Sequence, residues 1–288
     1  MQLCDTIYIM EKGKRFEGKE NKEQIKKIIY GFLLIIFISI LIYCLIILVK
    51  WYDDKKNNGK ENVEINEITQ VSEIVGGENV NPPKELNDDY WYYIKLPLTD
   101  VNIEELQKIN KDTVGFINVS GTNINYPIVQ TTDNSYYLKH SFKDELNNAG
   151  WIFMDYRSSV PNLGKNTIIY GHSRIDTTMF GSLKNILSST WVNNKDNYIV
   201  RLTTLKEDTL WQVFSVYTIP TEDYYIKTSF SNDSEYDNWL KTMIGRSEYK
   251  FNTTVNVNDK VLTLSTCYNN LNTKRVVLQA KLIKRVER

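Results

Sequence analysis

Residues 261–283 form the stretch that decides the fold, VLTLSTCYNNLNTKRVVLQAKLI. The β-branched and aliphatic run from Val261 to Thr266 is typical of a β-strand, and the asparagine-rich residues after Cys267 indicate a loop. A second strand pattern begins at Arg275. If the two strands pair as a hairpin, the side chains of Cys267 and Arg275 lie at the same mouth of the fold.

The small number of cysteines and histidines makes Cys267 unusual. It is the only cysteine after residue 50, so this part of the chain cannot form an internal disulfide. The chain has 2 histidines. His172 follows a strand-like run and a glycine, which places it at a strand end as well. His140 lies in a tyrosine-rich segment, and we interpret it as a structural or exposed side chain.

A cysteine, a histidine and an arginine together suit acyl transfer through a thioester. A free thiol has a pKa of about 8.5, and a nearby imidazole or cation raises its thiolate fraction and supplies a proton for a leaving amine. An arginine adds a permanent charge and a fork of donors for a carbonyl oxygen or its oxyanion. Residue type alone leaves alternatives open, because a lone cysteine can be a small buried hydrophobic residue and a histidine after a strand can be structural.

An apolar segment near the N-terminus predicts a membrane anchor. Residues 28–49, IIYGFLLIIFISILIYCLIILV, carry no charge and are long enough to cross a bilayer as a helix. A secretory signal peptide has a shorter apolar core and a small-residue cleavage site, and neither is visible. We predict a cytoplasmic tail at 1–27 and an orientation with the N-terminus inside, because only this orientation places the large domain outside.

The region between the apolar segment and the large domain has a different composition. Residues 50–87 are rich in Asn, Lys and Glu and contain Gly-Gly and Pro-Pro breakers, which predicts a polar stalk with at most a short helix. The large domain is then 88–288. Near its start, Asn102 followed by IEELQKIN, with Glu105 three residues on, predicts a helix that begins with a capping box.

Eight short strand patterns without a strand-helix rhythm predict a mainly β fold, a closed or nearly closed barrel. Two insertions have helical spacing, residues 179–187 and residues 234–246, and their apolar side chains are expected to pack inward. The second lies within the long connection 221–259, and connections of this length usually carry function or their own structure. The predicted strands are Val114–Val119, Ile124–Gln130, Trp151–Met154, Thr167–Tyr170, Tyr198–Thr204, Leu210–Ile219, Val261–Thr266 and Arg275–Ile283.

Composition excludes several classes of function. The 35 basic and 35 acidic residues argue against a nucleic-acid-binding protein. The histidines and cysteines lack zinc-site spacing, and neither a calcium loop nor a glycine-rich phosphate loop is present in the sequence. We therefore expect no metal site and no cofactor.

Several segments in order resemble the class B sortases, which are cysteine transpeptidases of Gram-positive bacteria. The resemblance rests on four segments: TLSTC with an arginine downstream, INYPIVQTTDNSYYL at 124–138, GWIFMD at 150–155 and NTIIYGHSRIDTTMFGSL at 166–183. The resemblance extends from about Asp89 to the C-terminus. It implies an eight-stranded sortase β-barrel with peripheral helices, with the catalytic groups in a groove at one end.

The resemblance also implies roles for individual residues. Cys267 corresponds to the nucleophile, His172 to the acid/base and Arg275 to the residue that holds the substrate carbonyl or oxyanion. Tyr268 stands where class B enzymes often carry an acid, and Ser173 replaces the usual asparagine after the histidine. Substrate-binding positions are implied at Ser265, Thr266 and Tyr268 beside the nucleophile, and at Tyr224, Tyr225 and Ile226 in the long connection, where simple packing is an equal alternative.

The implied reaction is cleavage of a C-terminal sorting signal after threonine, followed by transfer of the secreted protein to an amine of a peptidoglycan precursor. The membrane, through residues 28–49, is the other expected partner. Alternatives are a sortase that polymerises pilins, a thiol hydrolase that lets water resolve the thioester, or a noncatalytic, membrane-tethered wall-binding domain.

Overall fold

A long helix, α1 (Gln2–Ile68), forms the N-terminal part of the chain in the computed structural model. Within the described residues, it contains one stretch that is long and apolar enough to cross a membrane. The apolar side chains of residues 28–49 are exposed on all sides of the helix. A helix without a polar face satisfies its backbone internally and leaves only apolar surface outside, as a bilayer requires.

The structure describes residues 2–69, 71–160, 162–267 and 273–288, and the side chains of residues 2–20, Ile68 and Cys267 lie outside that description. The chain divides into two units, Met1–Asp53 and Asp54–Arg288. The second unit contains the strands, which are β1 (Val71–Ile74), β2 (Glu78–Asn79), β3 (Leu98–Val101), β4 (Thr113–Val119), β5 (Asn125–Val129), β6 (Phe153–Met154), β7 (Asn166–Tyr170), β8 (Ile199–Thr204), β9 (Glu207–Pro220), β10 (Val261–Cys267) and β11 (Lys274–Glu287).

Eight of the described strands close into a barrel in the order β10-β7-β6-β5-β4-β8-β9-β11, and β11 pairs again with β10. The pairs β10–β7 and β5–β6 are parallel, and the other pairs of the ring are antiparallel. This ring confirms the predicted eight-stranded barrel. The predicted strand patterns all correspond to its members.

The barrel strands are buried on both faces, which explains their long apolar runs. One core fills the interior, with Trp151 and Trp211 among its largest side chains. A second cluster lies under the helix α5 (Asp233–Arg246), where Trp239 packs on the outer face of β9 and β11. A third cluster forms where Tyr90, at the start of the helix α2 (Tyr90–Tyr93), covers the other part of these strands.

The three helical segments predicted in the large domain are present, one of them as a 3₁₀ helix. α3 (Ile103–Ile109) begins at Asn102, whose side chain accepts from the Glu105 backbone N–H at 3.2 Å, while the Glu105 carboxylate pairs with Lys108 instead of closing the capping box. α5 buries four apolar side chains, as its spacing predicts. The insertion after His172 forms a 3₁₀ helix, Gly181–Leu187, and a short helix α4 (Ser189–Val192) follows it.

Residues 54–87 are more ordered than their polar composition predicts. α1 continues to Ile68, β1 pairs with β3, and β2 pairs with β11. Asn58, Glu61 and Ile65 of the last helical turns are buried in the second unit. Their polar groups have protein partners, which is how buried polar side chains are tolerated. The division of the chain at 27, 49 and 87 stays a prediction.

Candidate active site

Three strand ends meet at one edge of the barrel. β7 and β10 run parallel, and the Thr266 hydroxyl donates to the Gly171 carbonyl at 2.7 Å. β11 runs antiparallel to β10, and the backbone of Cys267 lies opposite that of Arg275. The hairpin predicted from the sequence is therefore present, and His172 follows Gly171 at the same edge.

His172 is half-buried at this edge, and its ring has a defined orientation. Its Nε2 lies 2.8 Å from the main-chain carbonyl oxygen of Leu138. A carbonyl oxygen can only accept a hydrogen bond, so Nε2 carries the proton. In the neutral imidazole, Nδ1 then has the lone pair and can accept a proton.

Gly150 provides the space for this ring. Its φ is +60°, a conformation that favours glycine. A Cβ at this position would lie 2.8 Å from Cδ2 of His172 and 2.5 Å from the carbonyl oxygen of Tyr137. The close approach of backbone and imidazole therefore requires a residue without a side chain.

Arg275 and His172 line the same groove. It pairs with Cys267 on one side and with Ile219 of β9 on the other, so its backbone is fixed within the sheet. Its guanidinium Nη1 donates to the carbonyl of Lys274 at 3.3 Å. The predicted cationic group is thus held at the groove on a rigid strand.

The groove has a volume of about 400 Å³. Its floor comes from barrel strands, and one wall comes from the connection between β9 and β10. Of the predicted substrate-binding residues, four line it: Ser265, Thr266, Tyr225 and Ile226. Besides His172 and Arg275, the other described lining residues are Asn134, Leu138, Phe153, Tyr170, Gly171, Thr221, Glu222 and Asp223.

Tyr225 and Ser265 join the wall of the groove to its floor. Their hydroxyl oxygens are 2.9 Å apart, and the Tyr225 side chain is 3% exposed. The Tyr225 carbonyl accepts a hydrogen bond from the Asn166 amide at 3.2 Å. Tyr225 therefore packs structurally as well as lining the groove.

The remaining predicted substrate-binding residues are placed differently. Tyr224 is not among the described residues that line the groove, and the residue is 42% exposed. Its carbonyl accepts from the Trp239 indole at 2.9 Å, and the Arg246 guanidinium lies 5.6 Å from its ring centroid. Tyr268 and the side chain of Cys267 lie outside the described residues.

Residues 134–138 contribute to the groove, although none of them is a predicted site residue. Asn134 and Leu138 both line the groove, and Leu138 supplies the carbonyl that orients His172. A main-chain acceptor has no sequence signature of its own. The one sequence feature that points to these residues is the segment TTDNSYYL, which is part of the stretch 124–138 that resembles class B sortases.

A buried carboxylate supports the same side of the groove. Asp155 is fully buried and accepts from the Arg157 guanidinium at 2.7 Å, from the Tyr170 hydroxyl at 2.9 Å and from the Asn134 amide at 3.0 Å. Burial alone raises the pKa of Asp155, but the hydrogen bonds from Arg157 and Tyr170 outweigh it and hold this pKa below its usual value. The same Arg157 donates to the carbonyl of Ile226 at 3.2 Å. The carboxylate is therefore linked to Asn134 on one side of the groove and, through Arg157, to the connection between β9 and β10.

Comparison with known proteins gives this arrangement a family. Residues 117–283 match the Sortase domain family. The chain belongs to the sortase family. The matched range contains Cys267, His172 and Arg275 together with most of the barrel.

Curated relatives narrow the class of this sortase. It is 37% identical to sortase B of Listeria monocytogenes over 219 residues, which cover 72% of this chain and 87% of that protein. It is 41% identical to sortase B of Staphylococcus aureus over 183 residues, which cover 63% of this chain and 74% of that protein.

Solved structures of sortase B have the same fold. The S. aureus sortase B–substrate complex is 41% identical, with a TM-score of 0.59 over 63% of this chain and 84% of that one. Sortase B from B. anthracis in complex with AAEK1 is 37% identical, with a TM-score of 0.65 over 81% of this chain and 99% of that one. The predictions of a class B sortase, a sortase β-barrel and a cysteine transpeptidase are confirmed by these matches.

Proposed function

We propose that this class B sortase cleaves a C-terminal sorting signal after threonine with Cys267 as its nucleophile. The thiolate attacks the threonine carbonyl carbon, and the carbonyl π electrons move to oxygen. When the tetrahedral intermediate collapses, the C–N bond breaks, and the protein remains bound to Cys267 as a thioester. The observation that carries this proposal is the shared groove edge, where His172 and Arg275 flank the backbone of Cys267.

His172 acts as the acid and the base. Because Nε2 is bound to the Leu138 carbonyl, Nδ1 is the atom available for proton transfer. It takes the thiol proton of Cys267 and gives it to the departing amine, which leaves neutral. In the second half-reaction, it takes a proton from the incoming amine as that nitrogen attacks the thioester, and the thiolate leaves.

Arg275 binds the substrate carbonyl oxygen and the oxyanion that develops on it. A guanidinium keeps its charge at all relevant pH values and presents several donors in one plane. A rigid strand position suits this task, because preorganised donors stabilise the transition state without reorganisation. The pairing of Arg275 with both β9 and β10 supports this role.

The groove is the binding site of the sorting signal. The S. aureus relative has been solved as a sortase B–substrate complex, which supports substrate binding in this fold. Ser265, Thr266, Tyr225 and Ile226 line the groove and contact the bound signal in this proposal. Tyr224 and Tyr268 remain proposed substrate contacts from the family resemblance.

The acceptor is an amine of a peptidoglycan precursor, and the product is a surface protein bound covalently to the cell wall. This acceptor requires an extracellular catalytic domain, 88–288. We therefore place residues 28–49 across the membrane, the tail 1–27 in the cytoplasm and the polar segment 50–87 on the outer side. The apolar stretch of α1 supports the anchor.

The test is to incubate the full-length protein in detergent with a library of threonine-containing sorting-signal peptides and analyse it by mass spectrometry. We expect an acyl adduct on Cys267, with loss of the peptide's C-terminal part. C267A and H172A should show no cleavage while keeping the melting temperature of the wild type. Full cleavage by either variant would falsify the mechanism.

The product distinguishes the alternatives. A peptidoglycan precursor amine added to the thioester should yield an amide. A free acid as the sole product would indicate a hydrolase, and a conjugate with a pilin lysine a polymerising sortase. Binding of wall fragments without any adduct on Cys267 would indicate a noncatalytic domain.

A further inference from the structure

The last turns of α1 contact the loop that holds His172. This loop comprises residues 137–151. Near its start, the Leu138 carbonyl binds the imidazole of His172, and near its end, the α-carbon of Gly150 lies against the same imidazole. Two backbone hydrogen bonds join its arms, from Trp151 N–H to the Tyr137 carbonyl and from Asn147 N–H to the Lys139 carbonyl, each at 2.8 Å. Displacement of one arm therefore displaces the other.

Asn58 of α1 contacts the loop at Gly150, next to the imidazole. Its side chain is buried, with 2% exposure. Its amide donates to the Gly150 carbonyl at 3.1 Å, and its amide oxygen accepts from the Asn147 amide at 2.5 Å. Without Asn58, the buried Gly150 carbonyl loses its hydrogen bond, and the Asn147 amide keeps only its longer contact with the Asp54 carbonyl, at 3.5 Å. This loss is unfavourable unless the loop moves to reach water.

Glu61 attaches the middle of the same loop. It accepts from the Lys143 backbone N–H at 2.5 Å and from the Ser141 hydroxyl at 3.3 Å. Glu64 of the following turn pairs with the Lys143 ammonium group at 2.6 Å. The helix thus holds the loop at several points, and Asn58 holds the point next to the imidazole.

We propose that Asn58 is a positioning residue for His172, acting through Gly150 and the loop 137–151. This inference rests on the proposed role of His172 as the acid that protonates the leaving amine. Asn58, which lies in the segment that the sequence predicts as a polar stalk, then acts on the imidazole through this loop. Its function is to keep the imidazole where proton transfer to the leaving group is possible.

The test compares two substrates of the full-length protein in detergent. Both carry the sequence that the peptide library selects, one with the normal scissile amide and one with a thioester in its place. A departing thiolate needs no proton, whereas a departing amine does. The ratio of the two single-turnover acylation rates therefore reports on proton delivery by His172.

Two substitutions at Asn58 have distinct structural effects. N58A removes both hydrogen bonds, and N58D keeps an acceptor for Asn147 but cannot donate to the Gly150 carbonyl. Alanine favours a helix more than asparagine does, so weakening of the helix itself is not expected. A displacement of a catalytic group by about 1 Å can reduce a rate about a hundredfold. Because only a partial shift of the imidazole is expected here, we predict that both variants lower the ratio of the amide rate to the thioester rate about tenfold.

The matched control is N66A. Asn66 lies in the same helix and accepts from the Asn125 amide at 3.0 Å, away from the loop 137–151. It should leave the ratio unchanged. If N58A and N58D lower both rates equally, or leave both unchanged, Asn58 does not position the imidazole.

H172A separates this inference from the proposed function. If H172A cleaves the amide as fast as the wild type, the proposed role of His172 is wrong. If H172A abolishes amide cleavage while N58D keeps the wild-type ratio, only the positioning role of Asn58 is wrong. Melting temperatures of all variants verify that the compared proteins are folded.

Discussion

The carboxylate of Asp155 accepts a hydrogen bond from the Tyr170 hydroxyl at 2.9 Å, and this contact joins a fully buried charge to the lining of the groove. The Arg157 guanidinium makes the carboxylate tolerable in this position. Loss of the charge leaves Arg157 without its ion-pair partner and Tyr170 with a weaker acceptor. The stability of the groove therefore depends on Asp155 being ionised.

We expect D155N to lower the free energy of unfolding by about 2 kcal/mol at pH 7, less than for a fully buried pair, because Arg157 is partly exposed and can regain water. The pKa of Asp155 is lowered by folding, so its contribution is present above its unfolded pKa of about 3.9 and is lost as the pH falls through the folded value. Urea unfolding at pH 7 and pH 3 should therefore show a smaller difference between D155N and the wild type at pH 3.

D208N is the matched control, because Asp208 is also a buried carboxylate that is paired with an arginine. Its Oδ1 accepts a hydrogen bond from Nη1 of Arg288 at 3.0 Å. Burial raises the pKa of Asp208 despite the nearby Arg288, so the sign of its pH dependence is opposite. The disadvantage of D208N relative to the wild type should grow at acid pH. A D155N difference that also grows below pH 4 would contradict our account of Asp155.

Arg275 tests the need for a planar, permanently charged donor group. R275K keeps a positive charge at the groove but loses the fork of donors. We expect kcat to fall about a hundredfold to a thousandfold, as for the loss of an oxyanion donor, with a smaller change in KM. Steady-state cleavage of the selected peptide measures both constants.

The neighbouring cation is the control for Arg275. Lys274 is exposed at the start of β11, and K274A removes a charge from the same strand end. Its kcat should stay within twofold of the wild type. An R275K enzyme with wild-type kcat would show that charge alone suffices and that no donor geometry is required.

The sequence predicts the barrel well and its supports poorly, for a physical reason. Strands such as β10 and β11 bury long β-branched runs, and this pattern is visible without any partner. The two-residue strand β2 is too short to show a pattern, and its pairing depends on β11. Asn58 and Glu61 are polar side chains whose type is typical of a solvated segment, and only their partners in the loop 137–151 explain their burial.

The site was predictable to a similar extent. Residue chemistry and the family resemblance both predict His172 and Arg275 as site residues, and both line one groove. The carbonyl of Leu138 and the α-carbon of Gly150 orient the imidazole through the main chain, where residue identity carries little information. The long connection is predicted to supply Tyr224, Tyr225 and Ile226 as substrate-binding residues, but only Tyr225 and Ile226 line the groove. Which side chains of such a connection enter a groove depends on tertiary packing, such as the contact between the Tyr224 carbonyl and the Trp239 indole.

Gly150 should tolerate no side chain. In G150A, the Cβ would approach Cδ2 of His172 to 2.8 Å and the Tyr137 carbonyl oxygen to 2.5 Å, and the φ of +60° is unfavourable for alanine. We expect a loss of stability of about 1–3 kcal/mol and at least a tenfold lower rate of amide cleavage. Thermal unfolding and single-turnover cleavage give the two values.

Gly164 is the control for the same substitution. A Cβ there would meet no atom within 4 Å, and no positive φ opposes it. G164A should be neutral or stabilising by about 0.4–1 kcal/mol, because alanine restricts the unfolded chain. Equal behaviour of G150A and G164A would mean that the backbone at Gly150 does not confine His172.

The proposed membrane orientation can be tested with the chain's own cysteines. The sequence contains three, at positions 4, 44 and 267. In the double variant C44A/C267A, only Cys4 remains, and a membrane-impermeant maleimide should label it in lysed protoplasts but not in intact ones. With C4A and K111C added to this background, the exposed position 111 of the second unit should react in intact protoplasts. Labelling of Cys4 in intact protoplasts together with protection of position 111 would place the catalytic domain in the cytoplasm. There it could not reach an extracellular peptidoglycan amine, and the cell-wall function proposed for this sortase would have to be withdrawn.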